Sequence, residues 1–296
     1  MRSGSADVAP ELRRSPVRVT AVLTVHNRKP LTVRCLDALA AQRLEGAVLD
    51  VVLFDDGSTD GTSEAVLAQH PGTTVLRGDG SFFWNGGMRV ALAHAMAARP
   101  DFLLWMNDDT VVEPDAVARL LAVHRSLSKR GQPGLVSATV VDPDTGEVNY
   151  TGRRQDRWRP MAFHPVVADA RPEPADTMNG NCVLVPRVVF EAVGNLERTF
   201  QHSMGDYDYG LRARRAGFGV WVAPGVLGTC PSNPGFVPSK DEDVRAAFGR
   251  LRDTKHLPPG EWLTFVRRWG GPLWPLFWAF PYLRRLGWIV RSRIGG

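Results

Sequence analysis

Residues 49–62 read Leu49-Asp50-Val51-Val52-Leu53-Phe54-Asp55-Asp56-Gly57-Ser58-Thr59-Asp60-Gly61-Thr62. The first six form a short apolar run closed by turn residues, the pattern of a buried strand. The strand runs straight into two acids and a Gly/Ser/Thr/Asp turn. A helix-like stretch, Ser63 to His70, follows the turn. Working outward, Val17 to Val25 is a first buried strand, and Pro30 opens a helix after it, a residue suited to the first turn. Thr73 to Leu76 is a third strand, followed by the Gly-rich loop 78–87 (GDGSFFWNGG) and a helix from about Met88 to Ala98. Phe102 to Met106 is a fourth strand, ending in Asn107-Asp108-Asp109 and leading to a helix from Pro114 to Leu127. Strands alternating with helices at this spacing predict βαβ units: an α/β fold whose mostly parallel central sheet is flanked by helices.

The second half is less regular. Strands are expected at 135–141, 147–151, 181–185 and 220–223, with helices at 188–193 and 206–216. The Arg- and Pro-rich stretch 153–175 and the segment 225–235 are expected to be loops. The tail is expected to be helical in pieces, broken at Pro272, Pro275 and Pro281. Three regions follow: a disordered lead-in at 1–16, an α/β domain at 17–235 and a helical, Trp- and Arg-rich extension at 236–296.

Composition narrows the function classes. The chain has 296 residues, 44% hydrophobic and 23% charged, ordinary for a globular protein. Its three cysteines, Cys35, Cys182 and Cys230, are far apart, so neither a disulfide framework nor a zinc ribbon is indicated. Reduced thiols and an N-terminus without an apolar secretory core set the expectation of a cytoplasmic protein. There is no P-loop, no G-x-G-x-x-G and no H-E-x-x-H. The net charge of +5 is localised: from Glu261 to Gly296 six arginines face one acid. The body therefore lacks the basic stripe that nucleic-acid binding needs. The same tail holds five of the nine tryptophans. Tryptophan with arginine suits a membrane interface, here the inner face of the plasma membrane. The apolar run Pro272 to Leu283 is too short to span a bilayer, for which about 20 residues are needed. The alternative has the tail packed on the domain or on a dimer partner.

Chemistry is expected where open α/β sheets bind ligands, beyond the carboxyl ends of the strands. Two acidic clusters stand there, Asp55-Asp56 and Asp108-Asp109. Massed carboxylates need a cation or hydrogen-bond donors between them. Asn107-Asp108-Asp109 can supply one or two carboxylates to Mg²⁺, with phosphates and water completing the shell; it can equally form an Asx turn or a helix cap. Asp55 and Asp56 can accept hydrogen bonds from a nucleobase or ribose, while Ser58, Thr59 or Asp60 cap the next helix. Phe82, Phe83 and Trp84 can stack on a sugar or base. Asp206, at the start of a helix, suits both a cap and a general base, with Asp208 a nearby rival for that role.

Taken in order, strand–Thr24-Val25-His26-Asn27-Arg28, DDGSTDGT at 55–62, Asn107-Asp108-Asp109 and GDYDYGLRARRAG at 205–217 resemble the family 2 glycosyltransferases of the Rossmann-like GT-A fold. Residues 78–88 and 222–230 are similar to a bacterial subgroup acting in surface polysaccharide assembly. The resemblance implies an inverting transferase moving a sugar from a UDP- or dTDP-type donor to a glycan or lipid-linked acceptor. It places Asp55 and Asp56 on the base and ribose, with Thr24, His26, Asn27 and Arg28 lining the same donor pocket. Asp79, Trp84, Asn107 and Asp108 complete the donor contacts, and Asp109 is the ligand to Mg²⁺ or Mn²⁺. Trp84, Asn181 and Tyr207 are expected at the acceptor, and Asp206 matches the catalytic base. Two departures stand out. Gly205 replaces the first acid of the family's Glu-Asp pair, and the loop 224–235 (PGVLGTCPSNPG) lacks a histidine ligand found in many relatives. Cys230 is a poor substitute toward a hard cation. Two rival readings are a sugar nucleotidyltransferase, which would need a Gly-rich loop after the first strand, and a non-catalytic sugar- or partner-binding module.

Overall fold

The computed structural model describes residues 15–232 and 257–294. Residues 1–14 of the expected lead-in and the boundary at 235/236 fall outside these residues. The first half follows the sequence: β1 (Val17–Val25), α1 (Lys29–Ala40), β2 (Ala47–Asp55), α2 (Thr62–Gln69), β3 (Thr74–Arg77), α3 (Phe83–Ala97), β4 (Phe102–Met106), a two-residue β5 (Val111–Val112) and α4 (Ala116–Lys129). Then come β6 (Gly134–Val141), β7 (Val148–Tyr150), β8 (Gly152–Gln155), β9 (Phe163–Pro165), β10 (Glu173–Ala175), β11 (Thr177–Met178), β12 (Cys182–Pro186), α5 (Arg187–Val193), α6 (Gly205–Arg215) and β13 (Gly219–Thr229). The tail gives α7 (Pro259–Trp269), a 3-10 turn (Gly271–Leu273) and α8 (Trp274–Ile294).

The central sheet has ten strands, with the path β10-β13-β6-β12-β4-β1-β2-β3. On this path only β12 and β10 run against the rest. The expected mostly parallel α/β sheet is therefore present. Period-2 alternation sorts β1 between two cores. Val19, Ala21, Leu23 and Val25 face α1 and α4, while Val22 faces α3 and α6. Register levels the strand ends: Val25 pairs with Asp55, and Met106 with Cys182. The turns after β1, β2 and β4, and the residues just before the reversed β12, thus share one rim.

Four local expectations are corrected. Helix α3 begins at Phe83, inside the stretch expected to be loop. Its first-turn donors are satisfied from a distance: the Asp56 carboxylate accepts the N–H groups of Phe82 (3.0 Å) and Phe83 (2.9 Å). No local capping residue announces that start. The segment 153–175 is not all loop, since β8, β9 and β10 lie in it, and β8 pairs with β9 and β11 in a three-stranded sheet. Such short Arg- and Pro-rich strands carry no apolar alternation to read. β13 continues through Pro224-Gly225 to Thr229, because that dipeptide sits in a bulge between Val222 and Val226 rather than ending the strand. Finally, α8 passes through Pro281. It is pinned on either side, where Trp278 Nε1 donates to the Pro259 carbonyl (3.2 Å) and Tyr282 Oη to that of Leu257 (2.9 Å).

The tail packs on the domain through a third core. Trp262, Phe265 and Val266 of α7 meet Phe200 and Leu211, with Trp269, Trp274, Phe277, Trp278 and Tyr282 around them. Among the described residues, no helix is long and apolar enough to cross a membrane.

Candidate active site

The turn after β1 and the turn after β2 are knitted together. Asn27, at φ +52°, donates its N–H to Ser58 Oγ (2.8 Å) and accepts from the Thr59 N–H at Oδ1 (2.7 Å). His26 Nδ1 donates to the Asp56 carbonyl (2.6 Å), leaving Nε2 to accept from Asn27 Nδ2 (3.1 Å). Asp55 and Asp56 are buried and turned to internal donors. Asp55 accepts the Ser58 N–H (2.8 Å) and the Ser63 hydroxyl, and Asp56 accepts the Gly80, Phe82 and Phe83 N–H groups. Thr24 is buried beneath α3, where a Cβ on Gly87 would lie 2.2 Å from Thr24 Oγ1. Asp79 is exposed and closes its own turn onto Ser81; the Ser81 hydroxyl and N–H hold it below the usual carboxylate range.

Arg28, Asp108 and Asp109 form the charged centre. Arg28 Nη2 lies 2.6 Å from Asp109 Oδ2 and Nη1 lies 3.4 Å from Asp108 Oδ1. Burial works against the Arg28 charge, but the two carboxylates raise its pKa above the ordinary value. The Cys230 thiol donates to Asp109 Oδ1 (3.3 Å), so both oxygens of Asp109 have protein donors. Asp108 differs: Oδ2 is buried and has no hydrogen-bond partner. Burial pushes its carboxyl up to about 7, with Asp109 adding to the rise and Arg28 opposing it.

This centre is wired to the far side of the rim. Asn181 Nδ2 donates to Cys230 Sγ (3.5 Å), and the Asn181 carbonyl accepts the Asn107 N–H (3.1 Å). Asn107 Oδ1 accepts Trp84 Nε1 (2.9 Å). The Trp84 ring in turn lies over Gly180, where a Cβ would come within 2.8 Å of it. The Gly180 N–H donates to Asp206 Oδ2 (3.0 Å), and the Tyr207 N–H donates to Oδ1 (2.8 Å). Burial pushes the Asp206 carboxyl up to about 6 against these two hydrogen bonds. Tyr207 packs edge-on against Phe163 at 4.9 Å.

Asp208, expected as a rival base, is placed otherwise. It is wholly buried. Oδ2 accepts Arg212 Nε (2.8 Å), while Oδ1 accepts Arg268 Nη1 (2.7 Å) and Trp269 Nε1 (3.0 Å). It clasps the tail to α6, because a buried charge needs donors and the tail supplies them. The departure at Gly205 also has a physical reason. A Cβ there would fall 1.9 Å from Oδ1 of the buried Asn85, whose Nδ2 donates to the Glu197 (2.9 Å) and Phe200 (2.6 Å) carbonyls. Asn85 thus takes the space next to Asp206 that a first acid would use. Sequence reasoning missed Asn85 and also Arg153, which lies near Asp206 and Tyr207 and donates from Nε to Asn179 Oδ1 (2.8 Å). No motif marks either residue.

A metal has partial protein ligation at most: among the described residues no group of three His, Cys, Asp or Glu side chains could hold one. The orphaned Asp108 Oδ2 beside Asp109 fits a cation whose shell is completed by phosphates and water. For Asp109 to ligate it through Oδ2, Arg28 has to swing aside.

Known proteins are similar to this chain in sequence and in fold. The model of the family described as Glycosyl transferase family 2 matches residues 20–194. The N-acetylglucosaminyl-diphospho-decaprenol L-rhamnosyltransferase of Mycobacterium tuberculosis is 25% identical over 195 residues, covering 57% of this chain and 62% of the relative. The chain thus matches less than two thirds of that protein's length. Among solved structures, S. aureus TarS 1–349 superposes with TM-score 0.56 at 14% identity, over 73% of this chain and 60% of the other. The mannosyltransferase PcManGT from Pyrobaculum calidifontis, in complex with GDP-Man and Mn²⁺, superposes with TM-score 0.55 at 20% identity, over 97% of this chain and 76% of the other. The structural likenesses bear on the fold alone.

Proposed function

The chain belongs to glycosyl transferase family 2, and we propose that it is an inverting transferase moving a sugar from a UDP- or dTDP-type donor to a hydroxyl of a glycan or lipid-linked acceptor in cell-surface polysaccharide assembly. The observation that carries this reading is the placement of Asp206 across the rim from Asp108 and Asp109, joined to them through Gly180, Trp84, Asn107, Asn181 and Cys230. One end of that network suits a proton acceptor, and the other suits a diphosphate and its counter-charge.

Asp206 takes the proton from the acceptor hydroxyl as it attacks. A carboxyl at about 6 is ionised near neutral pH yet basic enough to accept. The Gly180 and Tyr207 N–H groups aim it and stabilise its charged form. Trp84 offers a flat face beside the base on which a sugar ring can rest. The β1 and β2 turns hold the nucleoside through the loop that Asp55 and Asp56 shape, so these two acids act by fixing backbone as much as by direct contact. Arg28, Asp108 and Asp109 face the donor diphosphate. Mg²⁺ or Mn²⁺ at Asp108–Asp109 would neutralise that diphosphate and the charge developing on the leaving nucleoside diphosphate. Attack from the face opposite the leaving group inverts the anomeric carbon through an oxocarbenium-like state.

The support for a cell-wall role is the M. tuberculosis rhamnosyltransferase, named for a lipid-diphosphate acceptor. That for a divalent cation is the neighbour solved with Mn²⁺. A lipid-linked acceptor also suits a tail in contact with the inner face of the plasma membrane. The test is single substitution at each end of the network. Asp206→Asn and Asp109→Ala are expected to fold and to lose transfer. Near wild-type turnover at either position refutes that residue's role. The missing first acid favours one other reading, a non-catalytic sugar-binding module. Donor hydrolysis, assayed with and without Mn²⁺, separates the two.

A further inference from the structure

Among the described residues, the outer face of the 3-10 turn and α8 is a strongly apolar surface that the proposed chemistry does not use. Leu273, Leu276, Phe280 and Leu283 are each 58–65% exposed. Their spacing of three, four and three residues puts them on one stripe. The opposite face of the helix is fastened inward. Trp274, Phe277, Trp278 and Tyr282 belong to the third core, and the Phe277 carbonyl accepts Trp262 Nε1 (3.2 Å). The stripe is therefore held outward by a fixed framework.

Charge on the described part of the tail, residues 257–294, is one-sided. Arg267 and Arg284 are exposed, and Arg267 lies over the Trp274 ring at 5.5 Å. Arg215, in the last turn of α6, lies over Trp269 at 4.5 Å. Among the described residues, Glu261, the one acid of the tail, is buried and accepts the Gln201 N–H (3.1 Å), and Glu197, which the tail meets, pairs with Arg268 (2.9 Å). A short apolar stripe on a tail whose exposed charges are arginines suits the interface of an anionic bilayer. Four side chains fall well short of the roughly 20–30 residues a side of a stable protein interface, which argues against a second copy as occupant.

We propose that this face of α8 seats in the surface of an anionic lipid bilayer, and that the grip of Arg268 and Trp269 on Asp208 fixes the helix bearing Asp206 at a set height above that surface. The second half rests on the proposed role of Asp206 toward a lipid-linked acceptor; the first half stands without it. The linkage is short. Asp208 lies in the same helical turn as Asp206, and two of its three donors come from α7.

The test is flotation of the full chain with vesicles of phosphatidylcholine alone or containing phosphatidylglycerol. The wild-type chain is expected to float with the anionic vesicles, less so as salt rises. The variant Leu276→Ser/Phe280→Ser/Leu283→Ser is expected to bind at least about tenfold more weakly, since the removed apolar area drives insertion. An unchanged circular dichroism spectrum shows that the variant folds. Its transfer to a short water-soluble acceptor is expected to match wild type, while transfer to an acceptor embedded in vesicles falls. Flotation of the variant equal to wild type overturns the proposal, as does absence of wild-type binding at low salt. A wild-type mass that doubles in light scattering and reverts in the variant also overturns it, assigning the face to a second copy. Absence of transfer by any protein form, with flotation as expected, defeats the enzymatic reading and leaves the docking face intact.

Discussion

Replacing Arg268 with methionine keeps most of the side chain's apolar stem and removes its charge. In the structure that guanidinium donates to Asp208 Oδ1 at 2.7 Å and to Glu197 Oε2 at 2.9 Å. Asp208 is wholly buried, so water cannot replace the lost donor. Stripping one partner from a buried ion pair costs about 3–5 kcal/mol. Here Arg212 still donates to Oδ2 at 2.8 Å and Trp269 to Oδ1 at 3.0 Å. The expected loss is therefore smaller, about 2–4 kcal/mol. With a urea slope of about 1–3 kcal/mol per molar, the unfolding midpoint falls by about 0.7–4 M. Urea unfolding followed by tryptophan fluorescence reads this directly, because Trp262, Trp269, Trp274 and Trp278 all lie in or against the third core. Asp208→Asn removes the charge from the other side. Combined with Arg268→Met it is expected to cost less than the sum of the two single changes, giving a coupling of about 1 kcal/mol or more. An Arg268→Met chain within about 0.5 kcal/mol of wild type, the range of an ordinary surface change, would refute the clasp.

Other outcomes follow from the same geometry. Gly205→Ala puts a methyl group against Asn85 Oδ1 and is expected to destabilise by about 1–3 kcal/mol or more; adding Asn85→Ala is expected to recover part of that loss, read by thermal unfolding. If Asp206 is the base, its carboxyl at about 6 sets the acid limb of the rate: turnover should be level above that pH and fall about tenfold per unit below it, measured with saturating donor. Linkage has a definite sign, because the folded pKa values of Asp206 and Asp108, about 6 and about 7, lie above the ordinary carboxyl value of 3.8. Their contribution to stability is present below about pH 4 and is lost as pH rises through 6 to 7; the thermal midpoint of the ligand-free chain, corrected with the two Asn variants, should show that fall. Arg28→Ala leaves Asp108 and Asp109 without their cation, so the ligand-free chain should melt lower and gain more from Mn²⁺ than wild type does. An equal Mn²⁺ shift in the two proteins would show that Arg28 does not stand in for a metal.

The βα repeat, the rim and the two acid pairs placed on it were readable from local pattern. Apolar strands such as Val17–Val25 and Phe102–Met106 declare themselves locally, because burial on both faces demands unbroken apolar runs. The turns at their ends follow in register, so Asp55, Asp56, Asp108 and Asp109 could be placed together from the chain alone. Asp206 was read as a first-turn residue of its helix, and it stands there, but no local pattern set it across the rim from the other acids. Only the tertiary structure decided which groups each acid meets. It gave Asp208 to Arg268, sixty residues away in sequence, and so made it a clasp for the tail. It let Asp56 start α3 at Phe83, and it put Asn85 in the space that Gly205 vacates. It also left Asp108 Oδ2 without a partner while both oxygens of Asp109 found one. Local pattern fixes backbone periodicity, which depends on neighbours a few residues apart. Partnership of a buried polar group depends on what the rest of the chain brings within about 3 Å, and no short-range pattern encodes that.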